Sequence, residues 1–237
     1  MNARRILTVF LVASLVIALL SVSEATNTPN VIVDPSNSKF VKGDSFVVNI
    51  TVDPAETEIF GAQYDLYFNP NVLQVTDQTG GNFLRQDGSN SHAVVNRFNN
   101  TAGKLEYGET RIGAQTGVNT NGTLAQITFN LTGCGSSNLT LSNVLLSNLS
   151  AQTIPNVNNR NGNVQGCIYG DLAPYPNGNC AINMGDFIRL LNHIHNQTTY
   201  PVDEDLADLD HNGEIETADY MHLAKHLTGI PGFEELK

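Results

Sequence analysis

Apolar and polar side chains alternate along several short stretches of residues 30–168. The alternation is regular in residues 46–52 (FVVNITV) and 62–68 (AQYDLYF), and weaker in residues 124–129 and 139–144. A period of two places every second side chain on one face of a strand, so these stretches are predicted to be β-strands with one buried face. Clusters of Asn, Gly, Pro and Ser separate them at short intervals. The segment is therefore expected to be a mostly β fold, a sandwich or jelly roll.

The pattern changes to a helical period near the C-terminus. Two stretches carry apolar residues at positions i, i+3, i+4 and i+7, the spacing of one face of an α-helix. The stretches match each other at an offset of 33 residues, which an internal duplication explains. The apolar positions are Phe187, Leu190, Leu191 and Ile194 in the first helix and Tyr220, Leu223, Ala224 and Leu227 in the second.

Each predicted helix follows a loop rich in oxygen-bearing side chains. In residues 208–219 such side chains stand at positions 1, 3, 5, 9 and 12, with glycine at position 6 and an aliphatic residue at position 8. Calcium requires about six to eight oxygen ligands and a sharp bend of the loop, so this spacing predicts an EF-hand-like site. The loop ends in Asp where most such loops end in Glu. The predicted ligands are Asp208, Asp210, Asn212, the carbonyl of Glu214, Glu216 and Asp219.

The loop before the first helix is a damaged copy with fewer carboxylates. Counting back from Asp186 places Tyr175, a poor ligand, at position 1. Asp171 serves that position instead if Leu172 to Pro176 form an outward insertion. A tight site and a weaker site, and hence two calcium ions, are predicted. The ligands of the weaker site would be Asp171, Asn177, Asn179, the carbonyl of Ala181, Asn183 and Asp186.

Residues 170–237 resemble a dockerin domain, because they form two tandem loop–helix units whose loops end in Asp and lack the entering helix of a true EF-hand. The resemblance implies a small all-α module of tandem F-hand type that folds around calcium and binds cohesin domains. It also implies that the two residues before each last ligand help to select the partner, although ordinary helix starts would explain them too. These residues are Met184 and Gly185 in the first unit and Thr217 and Ala218 in the second. Since the pairs differ, the two units are not expected to be interchangeable.

Residues 29–168 resemble a cohesin domain. The resemblance implies a nine-stranded jelly-roll sandwich, related to carbohydrate-binding modules, whose flat face receives a dockerin. It places Gln63 and Asp65 among the partner-contacting residues, with a solvated strand face as the alternative. Lesser candidates are Glu106, Tyr107 and Glu109. The motifs that carry the resemblance are VKGDSF (41–46), GAQYDL (61–66), FNPNVL (68–73), GNFL (81–84), GTLAQITF (122–129), LSNV (141–144) and GNV (162–164).

The N-terminus, residues 1–25, has the layout of a secretory signal peptide. Arg4 and Arg5 precede a mostly apolar stretch, residues 6–20, and small side chains allow cleavage after Ala25. The stretch is short for a membrane-spanning helix, and a retained anchor is the alternative. A secreted or cell-surface protein is expected.

Three cysteines, Cys134, Cys167 and Cys180, fit one disulfide and one free thiol in a secreted chain. Their spacing does not fix the connectivity. The pair Cys167–Cys180 is favoured because it would tie the start of the C-terminal segment to its insertion. The chain has no Cys-x-x-Cys pair, which argues against a thiolate zinc site. His222 and His226 stand four residues apart, but an exposed helix face explains them more simply than zinc does.

The charge of the chain excludes one class of partner. The formal net charge is −11, with only 12 Lys and Arg residues. Binding of nucleic acid through a basic surface is therefore not expected. The acidic residues concentrate after Asp171, which suits a metal-binding segment.

The predicted function is that of a secreted, non-catalytic adaptor, not an enzyme, that joins cohesin- and dockerin-bearing proteins with the help of calcium. The setting would be a polysaccharide-degrading or cell-surface complex. Matching halves would also allow the chain to bind itself head to tail. A carbohydrate-binding module is the first alternative: the chain lacks Trp, but Tyr64, Tyr67 and Tyr107 could stack on polysaccharide. A glycoside hydrolase is the second, although nothing marks a pair of catalytic carboxylates.

Overall fold

The chain folds into a β-sandwich followed by a short helical segment. The computed structural model describes residues 28–236, so the predicted signal peptide lies outside the described residues. No helix in this range is both long and apolar enough to cross a bilayer. The strands are β1 Asn30–Asp34, β2 Asn37–Val41, β3 Ser45–Asp53, β4 Gly61–Tyr67, β5 Leu73–Gly80, β6 Asn90–Asn99, β7 Lys104–Ile112, β8 Gly122–Leu131, β9 Gly135–Ser147, β10 Asn158–Arg160 and β11 Gly162–Cys167. The helices are α1 Met184–His195, α2 Glu204–Ala207 and α3 Thr217–Leu227.

Two sheets make up the sandwich. One has the strand order β10-β1-β3-β8-β5 and the other has the order β2-β11-β9-β4-β7-β6. Neighbouring strands are antiparallel except for the pairs β1–β10 and β2–β11. The predicted mostly β sandwich is thus confirmed. The described residues form eleven strands where the cohesin resemblance implied nine, because β2 and β10 add short parallel strands at the edges of the sheets.

The core between the sheets is built from the inward positions of the strands. On β3, Ile50 is fully buried, whereas Val47 on the other face is 48% exposed. Phe129 on β8 packs against Phe46 on β3 and Phe68 after β4, with ring centroids 5.8 and 5.5 Å apart. Burial of one such side chain contributes roughly 1.5–3 kcal/mol to folding. The alternation that predicted the strands is therefore also what holds the two sheets together.

A second, smaller core lies beneath the helices. Leu190 on α1 and Leu223 on α3 are fully buried, and Phe187 and Tyr220 pack with ring centroids 5.2 Å apart. Each pair joins equivalent positions of the repeat, so the predicted apolar faces of the two helices meet. Cys167 at the end of β11 is buried in the same cluster, so a strand of the sandwich contributes to this core. The segment has three helices, one of them a single turn, and its assignment as a dockerin stays a prediction.

Two further links join the helical segment to the sandwich. A disulfide connects Cys134, in the turn between β8 and β9, to Cys180 in the loop before α1. Lys39 on β2 forms an ion pair with Asp203 before α2. The predicted pairing of Cys167 with Cys180 is therefore wrong. Cys167 ends a strand inside the apolar cluster, where its thiol is free and buried, while the loop that carries Cys180 reaches the β8–β9 turn.

Replacing Ile50 by Ala is expected to lower the free energy of unfolding by about 2–5 kcal/mol, because the substitution leaves a cavity in the core. Replacing Val47 by Ala on the same strand is the matched control and should change it by less than about 0.5 kcal/mol. Denaturant unfolding followed by circular dichroism measures both. Equal effects of the two substitutions would contradict the assigned faces of β3.

Candidate functional site

The outer face of the six-stranded sheet is open over β9, β4, β7 and β6. Tyr64 and Leu66 are buried and fix the orientation of β4, so the side chains that alternate with them point away from the core. Gln63 and Asp65 therefore lie on the face opposite the core, as predicted. We call this surface, centred on Gln63, Asp65 and Tyr67, the β4 face.

A cluster of charged side chains crosses the β4 face. Glu106 accepts a 2.8 Å hydrogen bond from Lys104 Nζ and a second one from the Arg97 guanidinium. Lys104 Nζ also lies 3.1 Å from Asp65 Oδ2, which accepts a 2.6 Å hydrogen bond from Asn143 Nδ2. The hydrogen bonds from Arg97 and Lys104 lower the pKa of Glu106 to about 2. Asp65 is thus already paired within the protein.

A shallow depression of about 320 Å³ lies on the same face. Gly61 on β4 and Gly108 on β7 line the depression without a side chain to fill it, and Val95 and Leu145 line it from the strands on either side. Gln63 is exposed beside it. The depression can accept an aliphatic side chain of a partner, and Gln63 is free to contact that partner.

Two of the lesser candidates support the β4 face from below. Tyr107 is 1% exposed, and its hydroxyl donates a 2.9 Å hydrogen bond to Glu109, which is also buried. Burial and the charge of Glu109 raise the pKa of Tyr107. Tyr107 also stacks on the buried Tyr64, with ring centroids 5.8 Å apart. Of the three tyrosines considered for stacking on polysaccharide, only Tyr67 is exposed.

The loop of residues 208–219 is closed by its own backbone. The carboxylate of Asp219 accepts three backbone hydrogen bonds, the shortest of them 2.7 Å long. Asp208 accepts a 2.9 Å hydrogen bond from the N–H of Gly213, whose φ of +87° gives the sharp bend that glycine permits. Carboxylate oxygens of Asp208, Asp210 and Asp219 lie within 4.8 Å of one another. Converging carboxylates of this kind fit a hard cation such as calcium.

The loop before α1 closes in the same way. Asp171 occupies the first position, because its carboxylate accepts hydrogen bonds from the N–H groups of Asn179 at 2.9 Å and Cys180 at 2.6 Å. Asp186 occupies the last position and accepts a 2.8 Å hydrogen bond from the N–H of Ala173, as its counterpart does in the second loop. Asp171 therefore occupies position 1, as the sequence predicted for a loop that contains an insertion.

The insertion in the first loop differs from the prediction. Leu172 and Ala173 stay within the loop because their N–H groups donate to Asp186. This leaves residues 174–177 as the insertion and puts Asn177 inside it, where a longer insertion with Asn177 at position 3 had been predicted. Position 3 falls to Ala173, whose side chain has no oxygen. The remaining predicted ligand positions are those of Asp171, Asn179, Ala181, Asn183 and Asp186.

Two histidines of the helices anchor the chain that follows them. His193 Nδ1 lies 2.9 Å from the Tyr200 carbonyl oxygen, and His226 Nδ1 lies 2.8 Å from that of Phe233. The two pairs are related by the repeat offset of 33 residues, which extends the duplication beyond the helices. In the part of the chain that the structure describes, no histidine belongs to a group of three potential metal ligands. Their hydrogen bonds explain His193 and His226 without zinc.

The residues predicted to select a partner lie at the starts of α1 and α3. One turn further along, Ile188 is 50% exposed and Met221 is 43% exposed. They occupy equivalent positions of the repeat, and sequence reasoning missed them because they lie outside the buried stripe of each helix. A comparison of apolar residues 33 positions apart, the offset of the repeat, would have found them. The predicted positions are Met184, Gly185 and Thr217, all exposed, and Ala218, which is half-buried.

Comparison with protein families identifies the sandwich. A family model described as "Cohesin domain" matches residues 30–166, which contain all eleven strands of the described chain apart from the last residue of β11. The chain belongs to the cohesin family. Cohesin domains are non-catalytic interaction modules, which is consistent with the expectation of a non-enzyme. No curated protein matches this cohesin.

Several solved cohesin structures are similar to the chain. A non-cellulosomal cohesin from the hyperthermophilic archaeon Archaeoglobus fulgidus is 18% identical, with 59% of this chain and 91% of that chain covered and a TM-score of 0.47. The third ScaC cohesin of Acetivibrio cellulolyticus, solved with a ScaB dockerin, is 17% identical, with 59% and 99% covered and a TM-score of 0.48. The seventh ScaB type I cohesin of Pseudobacteroides cellulosolvens is 18% identical, with 59% and 92% covered and a TM-score of 0.47.

The ion cluster of this cohesin predicts a pH dependence. Because the pKa of Glu106 in the folded chain is about 2, below its usual 4.5, its contribution to stability is complete above pH 4.5 and declines as the pH falls toward 2. The difference in free energy of unfolding between the wild type and the Glu106→Gln variant should shrink over the same range. Denaturant titrations at several pH values measure this difference. Glu56 is exposed and forms no ion pair among residues 28–236, so Glu56→Gln is the control. If the difference in free energy of unfolding between the wild type and Glu56→Gln shrank over the same pH range, the prediction would be contradicted.

Proposed function

We propose that the chain is a non-catalytic assembly module whose β4 face receives a dockerin-bearing protein. Membership of the cohesin family carries the proposal, since the matched residues include every strand of the β4 face. The surface also suits a protein better than a small substrate. It is open, and its charged side chains are already paired with one another, so a partner does not have to neutralise them.

The composition of the β4 face supports a protein partner. Leu145, which pairs with the exposed Gln63 across β9 and β4, is 44% exposed, and Tyr67, four residues further along β4, is 41% exposed. Apolar contacts at the centre of an interface provide affinity, whereas partly exposed ion pairs such as Lys104–Glu106 mainly fix orientation. We expect a partner helix to place an aliphatic side chain in the depression and polar groups over the ion cluster.

We further propose that the second loop binds calcium. The carboxylates of Asp208, Asp210 and Asp219 repel one another at short range, and a divalent cation would offset this repulsion. Because α3 begins at Thr217, inside the loop, closing the loop around the cation would stabilise the start of that helix. By the EF-hand spacing, the other ligands would be Asn212, the carbonyl of Glu214 and Glu216.

The helical segment would then act as a dockerin-like half that binds a cohesin. Met184, Ile188 and Met221 give α1 and α3 an exposed apolar surface. With two unlike halves the chain is an adaptor between dockerin-bearing and cohesin-bearing proteins. If the helical segment of one copy fits the β4 face of another, copies of the chain would also join head to tail, because a heterologous contact need not close into a ring.

A secreted or cell-surface location belongs to the same proposal. The Cys134–Cys180 disulfide suits an oxidising compartment. The sequence of residues 1–25 supports export. A complex that degrades polysaccharide is one setting in which such an adaptor would serve, and the chain's part in it would be assembly.

Replacing Gly108 by Arg is expected to weaken dockerin binding at least tenfold, or by about 1.4 kcal/mol, because the long side chain would cover the depression. A Cβ at this position meets only Gln63 Cβ at 3.6 Å and Val95 Cβ at 3.9 Å, so the variant should fold. Surface plasmon resonance in calcium measures binding to a panel of purified dockerin-bearing proteins and to the chain itself.

The control for this experiment is Gln74→Arg, an exposed position on β5 in the opposite sheet. It should keep the affinity of the wild type. Equal loss or equal retention in both variants would show that the β4 face is not the docking surface. A wild-type chain that binds no dockerin-bearing protein would refute the proposed function.

Chelation of calcium is expected to remove part of the helical signal in far-UV circular dichroism, because the start of α3 would lose its support. A variant with Asp208→Asn and Asp210→Asn should show the reduced signal even in calcium. Binding of calcium and folding are expected to be coupled because so short a segment buries little apolar surface. The Gln74→Arg variant should respond to chelator as the wild type does. A helical signal that chelator leaves unchanged would refute calcium binding by this loop.

A further inference from the structure

The two loops share one backbone conformation. Positions 4 and 6 are left-handed in both, with φ of +69° and +64° at Gly178 and Cys180 in the first loop. The second loop has φ of +58° and +87° at His211 and Gly213. In each loop the N–H groups of positions 5 and 6 donate to the first carboxylate. Since the backbones agree, the side chains decide what keeps each loop closed.

Position 6 distinguishes the two loops. Gly213 adopts the left-handed conformation without steric cost, whereas Cys180 carries a Cβ and is strained there. Cys180 is bonded to Cys134 in the β8–β9 turn. A covalent bond to the sandwich therefore holds the first loop at the position where the second loop relies on glycine.

Oxygen ligands are scarce in the first loop. Position 3 is Ala173, whereas the second loop has Asp210 there. The carbonyl of Ala181, which would be the ligand at position 7, accepts a 2.9 Å hydrogen bond from Asn183 Nδ2. The first loop thus offers fewer oxygen ligands than the second loop, whereas calcium requires about six to eight oxygens from protein and water.

The first carboxylate of this loop is surrounded by other groups. Asp171 is 2% exposed and accepts hydrogen bonds from the N–H groups of Asn179 and Cys180. One of its oxygens lies within 4.8 Å of the sulfur atoms of Cys134 and Cys180. A Cβ at Gly178 would clash with the carboxylate, so the backbone closes tightly over it. Sulfur atoms joined in a disulfide are poor ligands for a hard cation that prefers oxygen.

We propose that the Cys134–Cys180 disulfide takes the place of calcium in the first loop, and that the chain binds one calcium ion, in the second loop. The proposal rests on calcium binding by the second loop and replaces the two ions predicted from the sequence. The two helices then have different supports. The start of α1 is tied covalently to the sandwich, and the start of α3 depends on a cation.

Isothermal titration of the oxidised full chain with calcium chloride tests the stoichiometry. One ion per chain is expected, and Asp208→Asn should abolish its binding. Asp171→Asn should leave binding unchanged, because the amide oxygen still accepts the backbone hydrogen bonds. Two ions per chain would overturn this inference alone. No bound ion would overturn both this inference and the calcium proposal.

Hydrogen exchange locates the two supports. Chelator should speed exchange in residues 208–219 of the oxidised wild type and leave residues 171–186 protected. A variant with Cys134→Ser and Cys180→Ser, treated with chelator, should exchange residues 171–186 at least tenfold faster. Reduction of the wild type in the presence of chelator gives the same test without substitution. Unchanged exchange in β3 and β8 would show that the sandwich stays folded. Faster exchange of residues 171–186 when chelator is added to the oxidised wild type would overturn the inference. Continued protection of these residues in chelator when the disulfide is absent would overturn it as well.

Discussion

Burial of alternate side chains between the two sheets determines what the outer surfaces present. Because β4 buries Ala62, Tyr64 and Leu66, the side chains that alternate with them point to the outer face. A slip of one residue in its pairing would turn Gln63 and Asp65 toward the core and turn two large apolar side chains toward water. The register across β4 and β7 therefore assembles both the depression and the ion cluster, although neither contributes much to the core.

Alternation in the sequence revealed four strands that have one apolar face, β3, β4, β8 and β9, and missed the strands that lack such a face. β3 and β4 follow the period of two closely, and both were predicted. β6 is an edge strand whose side chains are exposed on both sides, so its sequence has no period. β7 buries Glu109 and Arg111, whose partners include the Tyr107 hydroxyl and the Leu84 carbonyl. Buried polar side chains hide a strand from a prediction based on apolar burial, and with these two strands half of the β4 face was missed.

Spacing along the chain defined the second loop and left the first ambiguous. Asp171 and Asn177 both carry an oxygen, and whether Asn177 enters the loop together with Asp171 depends on where the insertion begins and ends. The N–H groups that bond to Asp186 decide this, and they become visible only in three dimensions. The disulfide is a similar case, because Cys134 stands 46 residues before Cys180 and a turn of the sandwich brings the two together.

The attachments of the helical segment have a mechanical consequence. Cys134 and Cys167 belong to different parts of the sandwich, yet both are joined to the segment. A pull on α1 reaches β11 through residues 168–179 and, in parallel, reaches the ends of β8 and β9 through the disulfide. These three strands are interior members of the two sheets. Tension on α1 would therefore be shared by both sheets and would not act first on a single edge strand.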